Sequence, residues 1–161
     1  MTRYLSAFAV AIVVAVLWIR LLPARPLPQP MHYNHAVHTE MMDCEMCHVG
    51  ARSAERAGIP QVDLCASCHE EAPPNISTAQ WEQVVSDRAI AWQRVTRLPT
   101  HAFFSHRRHA GIAAIECTTC HGDIPTRTVA VTSAPIHLDM AACLSCHAEE
   151  GASDDCAACH R

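Results

Sequence analysis

The chain has 161 residues, the length of one ordinary domain, and only 5% of them are aromatic. It contains ten cysteines, twelve histidines and five glycines. From residue 26 onward nine arginines stand against sixteen acidic residues, a net charge of −7. A nucleic-acid-binding protein needs a basic patch, so that class of function is set aside. The scarcity of aromatic side chains indicates that much of the interior is filled by something other than protein.

The N-terminal segment contains an apolar run from Leu5 to Ile19 that is flanked by arginines. The run is fifteen residues long, short of the roughly 20 that span a bilayer, although a terminal arginine can extend the span by snorkelling. No cleavage site of the small-x-small type follows it, so residues 1–25 are predicted to be an uncleaved membrane anchor. A cleaved signal peptide is the main alternative, and a buried soluble helix is another. The anchor and the signal peptide would both export residues 26–161.

Five Cys-x-x-Cys-His motifs use all ten cysteines. The motif cysteines are Cys44, Cys47, Cys65, Cys68, Cys117, Cys120, Cys143, Cys146, Cys156 and Cys159. The histidines that follow them are His48, His69, His121, His147 and His160. Residues three and four apart share a helical face, so both cysteines can reach the vinyl groups of one haem while the histidine binds its iron. This is the c-type attachment signature, and it predicts five covalently bound haem c groups.

Other interpretations of the motifs explain less. A Cys-x-x-Cys pair is often half of a zinc site, but four-cysteine zinc sites use pairs two at a time and five pairs leave one over. A thioredoxin-like redox motif does not recur five times. A secreted disulfide scaffold imposes no histidine after each pair.

Seven histidines lie outside the motifs, and four of them form an internal repeat. Aromatic-x-His-x-x-His occurs upstream of the first motif and again upstream of the third, beginning at Tyr33 and at Phe104. Two histidines three residues apart lie on one helical face and can reach two neighbouring haems. The four predicted distal iron ligands of the repeat are His35, His38, His106 and His109.

The fifth distal ligand is open between three residues. His137 and Met140 both precede Cys143 closely, and His101 stands just before the second repeat. His137 is the first choice, Met140 the second and His101 the third, while His32 is predicted to be the spare histidine. The choice matters because a haem with methionine and histidine ligands has a higher potential than one with two histidines.

The haem-binding domain, residues 26–161, divides into two repeats and a linker. Repeat one covers residues 31–72 with two motifs, and repeat two covers residues 101–161 with three. The linker, residues 73–100, contains a capping box at residues 77–80 that predicts a helix, with amphipathic turns that end before Leu98. Its tryptophans are predicted to be core residues. The prolines that follow the N-terminal segment predict a stiff spacer before repeat one.

Three stretches of the haem domain resemble the membrane-anchored pentahaem subunit of alternative complex III, within the class III (c3 and c7) cytochromes c. They are residues 29–65, residues 90–106 and residues 138–147. The resemblance implies a multihaem fold of short helices and loops wrapped round five haems, with little regular sheet, plus one N-terminal transmembrane helix.

The resemblance also implies partners and a location. It implies a subunit that passes electrons from a quinol-oxidising respiratory or photosynthetic complex of the bacterial inner membrane to a periplasmic acceptor such as a monohaem cytochrome c. The implied neighbours are iron–sulfur/molybdopterin-like and polytopic quinol-binding subunits. A related alternative is the haem subunit of a menaquinone-reducing complex, and a free-standing c7-like electron carrier is another.

An enzyme is the competing class of function. A multihaem reductase, for instance one acting on nitrite, needs an iron with an open position and a cavity with acidic or cationic residues around it. About 136 residues shared by five haems leave little protein to enclose such a cavity, and the extra histidines suffice to close every sixth position. A haem-based sensor would need a signalling domain. The sequence therefore predicts an electron-transfer subunit with no catalytic residues.

Overall fold

A computed structural model describes residues 2–21 and 26–160 of the chain. These residues form short helices joined by loops. The α-helices are α1 (Thr2–Leu21), α2 (His35–Thr39), α3 (Cys44–Cys47), α4 (Val62–Ala66), α5 (Thr78–Asp87), α6 (Cys117–His121), α7 (Met140–Glu149) and α8 (Cys156–Cys159). A π-helical segment covers Arg107–Ile112, and a 3₁₀ turn covers Ile124–Thr126. Among the described residues, β-pairing is limited to one isolated bridge between Ala102 and His160. The prediction of short helices with little sheet is confirmed.

The transmembrane helix predicted within residues 1–25 is not supported. In the part of the chain that the structure describes, no helix combines the length and the apolar character needed to cross a membrane. Residues 1 and 22–25 of this segment lie outside the described residues.

The stiff spacer predicted before repeat one is attached to the rest of the chain. The amide of Leu27 donates to the carbonyl of Thr132 at 2.7 Å. The side-chain amide of Gln29 reaches the carbonyls of Gln93 and Val131 at 2.9 and 2.8 Å. These bonds satisfy backbone groups of the linker and of repeat two, so residues 27–29 connect both to the start of repeat one.

The linker forms the helix that its capping box predicts. The Ser77 hydroxyl accepts from the amide of Gln80 at the start of α5, and Arg88 ends the helix in a left-handed conformation. Trp81 is buried and packs with Val62 of α4 and with Ile90. The prediction that this tryptophan belongs to a core is confirmed, and the core joins the linker to the helix that carries the first cysteine of the second motif.

The second linker tryptophan connects the linker to repeat one. The indole N–H of Trp92 donates to the carbonyl of Pro60 at 2.8 Å. Its ring meets Tyr33 edge-on, with centroids 6.4 Å apart. Trp92 therefore anchors the linker beside the first pair of distal histidines.

The protein core is small. Among the described residues, the buried hydrophobic side chains are Ala51, Val62, Trp81 and Ile90. A domain of this length ordinarily buries most of its apolar side chains. The small number of buried apolar side chains is consistent with an interior that is largely filled by a bound cofactor.

Candidate haem sites

Each motif forms a single helical turn. We name the five motifs by position: site 1 (residues 44–48), site 2 (65–69), site 3 (117–121), site 4 (143–147) and site 5 (156–160). In sites 1, 2 and 5 the amide of the motif histidine donates to the carbonyl of the first cysteine, at 2.8, 2.9 and 2.8 Å. Sites 3 and 4 lie within α6 and α7. The helical turn places both cysteines and the histidine of a motif on one side, as haem attachment requires. None of the ten cysteines is in a disulfide.

The distal histidines of the repeats face motif histidines. A metal held between two imidazole nitrogens, at about 2.0 Å from each, puts the ring centres roughly 6 Å apart. Three pairs have this separation between centroids: His38 with His69 at 6.2 Å, His106 with His121 at 6.3 Å, and His109 with His147 at 6.0 Å. The structure thus brings together three predicted distal residues and the motif histidines of sites 2, 3 and 4.

Ring nitrogens of these histidines are held by backbone carbonyls. A carbonyl only accepts, so each Nδ1 in contact with one carries the hydrogen, and Nε2 keeps its lone pair for a metal. The Nδ1–oxygen distances are 2.7 Å for His38 to Asn34, 3.0 Å for His48 to Gly58, 3.4 Å for His106 to Glu55, 2.9 Å for His109 to Ser105, and 2.6 Å for His147 to Ser153. The donor set fits haem iron with two axial histidines.

His35 lies beside the motif histidine of site 1. Burial lowers the pKa of its imidazole to about 4, and the neighbouring rings of His48 and His38 add to the effect. Its Nδ1 is buried without a hydrogen-bond partner among the described residues. Burial that keeps the ring neutral preserves the form that binds iron.

One aromatic ring packs against both distal histidines in each repeat. Tyr33 stacks on His38 with centroids 4.6 Å apart and meets His35 edge-on at 4.7 Å. Phe104 stacks on His109 at 4.4 Å and meets His106 edge-on at 5.0 Å. The two repeats therefore agree in the orientation of their rings as well as in sequence. In each repeat, one aromatic residue contacts and orients two imidazoles.

Site 5 is paired with His101. The two rings stack with centroids 5.4 Å apart and planes at 23°. The bridge between Ala102 and His160, together with the bond from the Phe103 amide to the Cys159 carbonyl at 2.7 Å, holds the two segments together. His101 is only the third choice from sequence because it is far along the chain from the motif that it meets. The contact between His101 and His160 spans 59 positions.

The other two candidates for the fifth ligand point elsewhere. His137 is 90% exposed, and its Nε2 lies 3.8 Å from a carboxylate oxygen of Asp139. It lines a cleft of about 430 Å³ with Arg94 and Arg97. Met140 is 63% exposed at the start of α7. The geometry favours His101 over His137, the first choice from sequence, because a ligand must face a motif histidine across the iron. His32 is exposed, as the spare histidine would be.

Comparisons with known proteins agree with this geometry. Residues 102–161 match the family described as "Cytochrome c7 and related cytochrome c". The chain is also 27% identical, over 165 aligned positions, to a protein of Nitratidesulfovibrio vulgaris named "Menaquinone reductase, multiheme cytochrome c subunit". That alignment covers 83% of this chain and 77% of the relative. Residues 102–161 thus resemble the c7 cytochromes, and the motifs, the facing imidazoles and these similarities together support a multihaem c-type cytochrome that transfers electrons.

Proposed function

We propose that the chain carries five covalent haem c groups, each closed by two histidines, and serves as the electron-transfer subunit of a menaquinone-linked membrane complex. The observation that carries the proposal is the set of motif histidines that face a second histidine with Nδ1 held by a backbone carbonyl. Two strong nitrogen ligands leave no open position for a substrate on that iron. The arrangement supports electron transfer rather than a reductase reaction.

The proposed axial pairs follow the contacts in the chain. They are His35 with His48, His38 with His69, His106 with His121, His109 with His147, and His101 with His160. A bound haem supplies a reversible one-electron couple of its iron, and axial histidines set its potential lower than a methionine ligand would. The chain's own residues orient the imidazoles, keep them neutral and hold the cysteines in helical turns.

The relative supports a role beside menaquinone, since it is a haem subunit of a menaquinone reductase. In such a complex the chain would deliver electrons toward menaquinone. The resemblance to the pentahaem subunit of alternative complex III supports the opposite direction, from quinol to a periplasmic acceptor, as a second candidate. In both cases the partners are quinone-binding and iron–sulfur/molybdopterin-like subunits, and in the second a monohaem cytochrome c accepts the electrons.

We propose a periplasmic location at the inner membrane, because haem c is attached to exported chains. Fractionation of a bacterial host that matures c-type cytochromes tests it. The haem-stained chain should appear with the periplasm or the periplasmic face of the membrane, where added protease removes it from spheroplasts. Haem-stained protein that is protected in intact spheroplasts would contradict this location.

The function is tested by electron paramagnetic resonance of the oxidised protein together with its intact mass. We expect the mass of the chain plus five haems, and signals of low-spin iron alone. A substantial high-spin signal in the unaltered protein would mean that a sixth position is empty, and it would favour a reductase. Direction is tested with the purified complex: reduction of menaquinone by the prereduced cytochrome supports the first candidate, and its reduction by menaquinol supports the second.

A further inference from the structure

We infer that the five haem sites form one unbranched row in the order 2–1–3–4–5, so that sites 2 and 5 are its ends. The inference rests on the proposed five-haem function and adds which site lies beside which. Chain order would give the row 1–2–3–4–5. The two orders differ in whether site 1 or site 2 meets repeat two.

The neighbours within each repeat follow from the paired distal histidines. His35 and His38 lie on α2, one turn apart, and Tyr33 touches both rings. His38 faces the motif histidine of site 2, and α2, which ends at Thr39, leads directly into the motif of site 1, so these sites are neighbours. Burial raises the pKa of the Cys65 thiol of site 2, and the nearby Cys47 of site 1 adds to the effect.

The same arrangement joins sites 3 and 4. His106 and His109 both touch Phe104 and face the histidines of α6 and α7. Sites 3 and 4 are therefore neighbours, as sites 1 and 2 are.

Site 1 is the site of repeat one that meets repeat two. Burial raises the pKa of the Cys44 thiol, and the nearby Cys117 adds to the effect, so the attachment points of sites 1 and 3 are close. Glu45, inside the motif of site 1, pairs with the guanidinium of Arg52 at 3.4 Å. Site 1 is thereby connected, through Arg52, to the segment that carries the distal histidines of sites 3 and 4.

Backbone contacts hold this junction closed. The amides of His106 and Arg107 donate to the carbonyls of Glu55 and Ala54, at 3.0 and 2.8 Å. The Arg52 guanidinium donates to the carbonyl of Ala110 at 2.6 Å. These bonds join the loop after site 1 to the segment that carries the distal histidines of sites 3 and 4.

A glycine permits the close approach of the two repeats. A Cβ placed on Gly111 would lie 2.0 Å from the carbonyl oxygen of Arg52, closer than any side chain allows. Because that oxygen belongs to the backbone, no side-chain rotation can relieve the clash. Gly111 is therefore the residue at which a larger side chain would push site 1 and site 3 apart.

Site 5 continues the row from site 4. Burial raises the pKa of the Cys143 thiol, with Cys159 as the next cause, so the attachment points of sites 4 and 5 are close. The His147 ring also bonds to the carbonyl of Ser153 in the loop that leads into site 5. Both cysteines of sites 1 and 3 are partly buried, whereas Cys68 of site 2 and Cys156 of site 5 are exposed, as is Cys143 of site 4. The exposure fits interior positions for sites 1 and 3 and outer positions for sites 2 and 5.

Two-dimensional NMR of the fully reduced holoprotein tests the order. Low-spin iron(II) is diamagnetic, so each haem gives a sharp set of resonances, and its thioether groups assign it to the cysteines of one motif. We expect five sets, with nuclear Overhauser contacts between haems 2 and 1, 1 and 3, 3 and 4, and 4 and 5. Contacts of haem 2 with haem 3 in place of the contact of haem 1 with haem 3 would overturn the order, as would a contact of haem 2 with haem 5. Fewer than five sets would overturn the five-haem function and the row with it, whereas five sets with other contacts would overturn the row alone.

A glycine variant provides the second test. Gly111→Ala should weaken the contacts between haems 1 and 3 and leave the other three pairs of contacts unchanged. Gly151→Ala is the control for the junction: its φ of +64° strains an alanine locally, but its added Cβ meets nothing within 4 Å. It should leave the contacts between haems 1 and 3 in place. Unchanged contacts between haems 1 and 3 in folded Gly111→Ala would contradict the proposed junction, and if this variant does not mature, the pattern of the unaltered protein still decides the order.

Discussion

His101 and His160 stack with ring centroids 5.4 Å apart, although 59 positions separate them in the chain. The contact joins the start of repeat two to its end. It gives the last motif a second histidine that no local pattern supplies, because His101 lies outside the aromatic-x-His-x-x-His repeat. The adjacent bridge between Ala102 and His160 explains why the two rings meet.

The first prediction distinguishes His101 from His137 as an axial ligand. His101→Ala should open one sixth position, since it removes the ring that faces His160. The oxidised variant should then show high-spin iron amounting to about one of five haems, and its reduced form should bind carbon monoxide. His137→Ala should do neither, because that side chain is exposed. High-spin iron in His137→Ala, with His101→Ala fully low-spin, would reverse the assignment.

The second prediction concerns the pH dependence of stability. Below pH about 6.5 the unfolded chain protonates His35, whereas burial alone, without iron, lowers the pKa of the imidazole in the folded chain to about 4. The unfolded state binds more protons in this window, so the free energy of unfolding falls as the pH is lowered from about 6.5 to 4. Iron ligation acts in the same direction because protons compete with the metal for the ring. Chemical unfolding at several pH values measures the slope.

His35→Met is the matched variant for this test. It keeps a side chain that can bind iron but removes the group that titrates between pH 4 and 6.5. Its free energy of unfolding should depend less steeply on pH in that window. Equal slopes for the variant and the unaltered protein would mean that His35 does not contribute.

The third prediction is that folding depends on the haems. The described residues bury few hydrophobic side chains, so the chain without haem has little to offset the loss of chain entropy. A variant with all ten cysteines changed to serine should show no cooperative thermal transition by circular dichroism. The matured protein is the control and should show one. A sharp transition in the serine variant would show that the polypeptide folds cooperatively without haem, which contradicts the prediction.

The fourth prediction tests the small core of the linker. Val62 is 1% exposed between Trp81 and Ile90, so Val62→Ala leaves a cavity that the helices cannot fill. The free energy of unfolding should fall by about 1–3 kcal/mol. Val129→Ala, at a position that is 56% exposed, is the matched control and should change it by less than about 0.5 kcal/mol. Similar losses in both variants would mean that the linker does not pack as described.

The sequence by itself determined the chemistry of the sites. A haem attachment motif is complete within five residues, so its spacing specifies the cofactor without reference to the rest of the fold. The distal pairs on α2 and beside Phe104 are also local, because histidines three residues apart share a helical face. The capping box at Ser77 is local for the same reason and marks the correct start of the linker helix, whereas the helix ends at Asp87, short of the predicted boundary before Leu98.

Only the tertiary structure decided which distant residues meet. His101 faces site 5 because a backbone bridge brings residues 102 and 160 together, and the sequence alone gives no measure of that distance. Sites 1 and 3 meet because Gly111 lets the backbone of one repeat approach Arg52 of the other. From spacing along the chain, the sites joined by the shortest loops would be expected to be neighbours. In the folded protein, the neighbouring sites are those whose surfaces can approach each other closely. Axial partners and site order follow from packing.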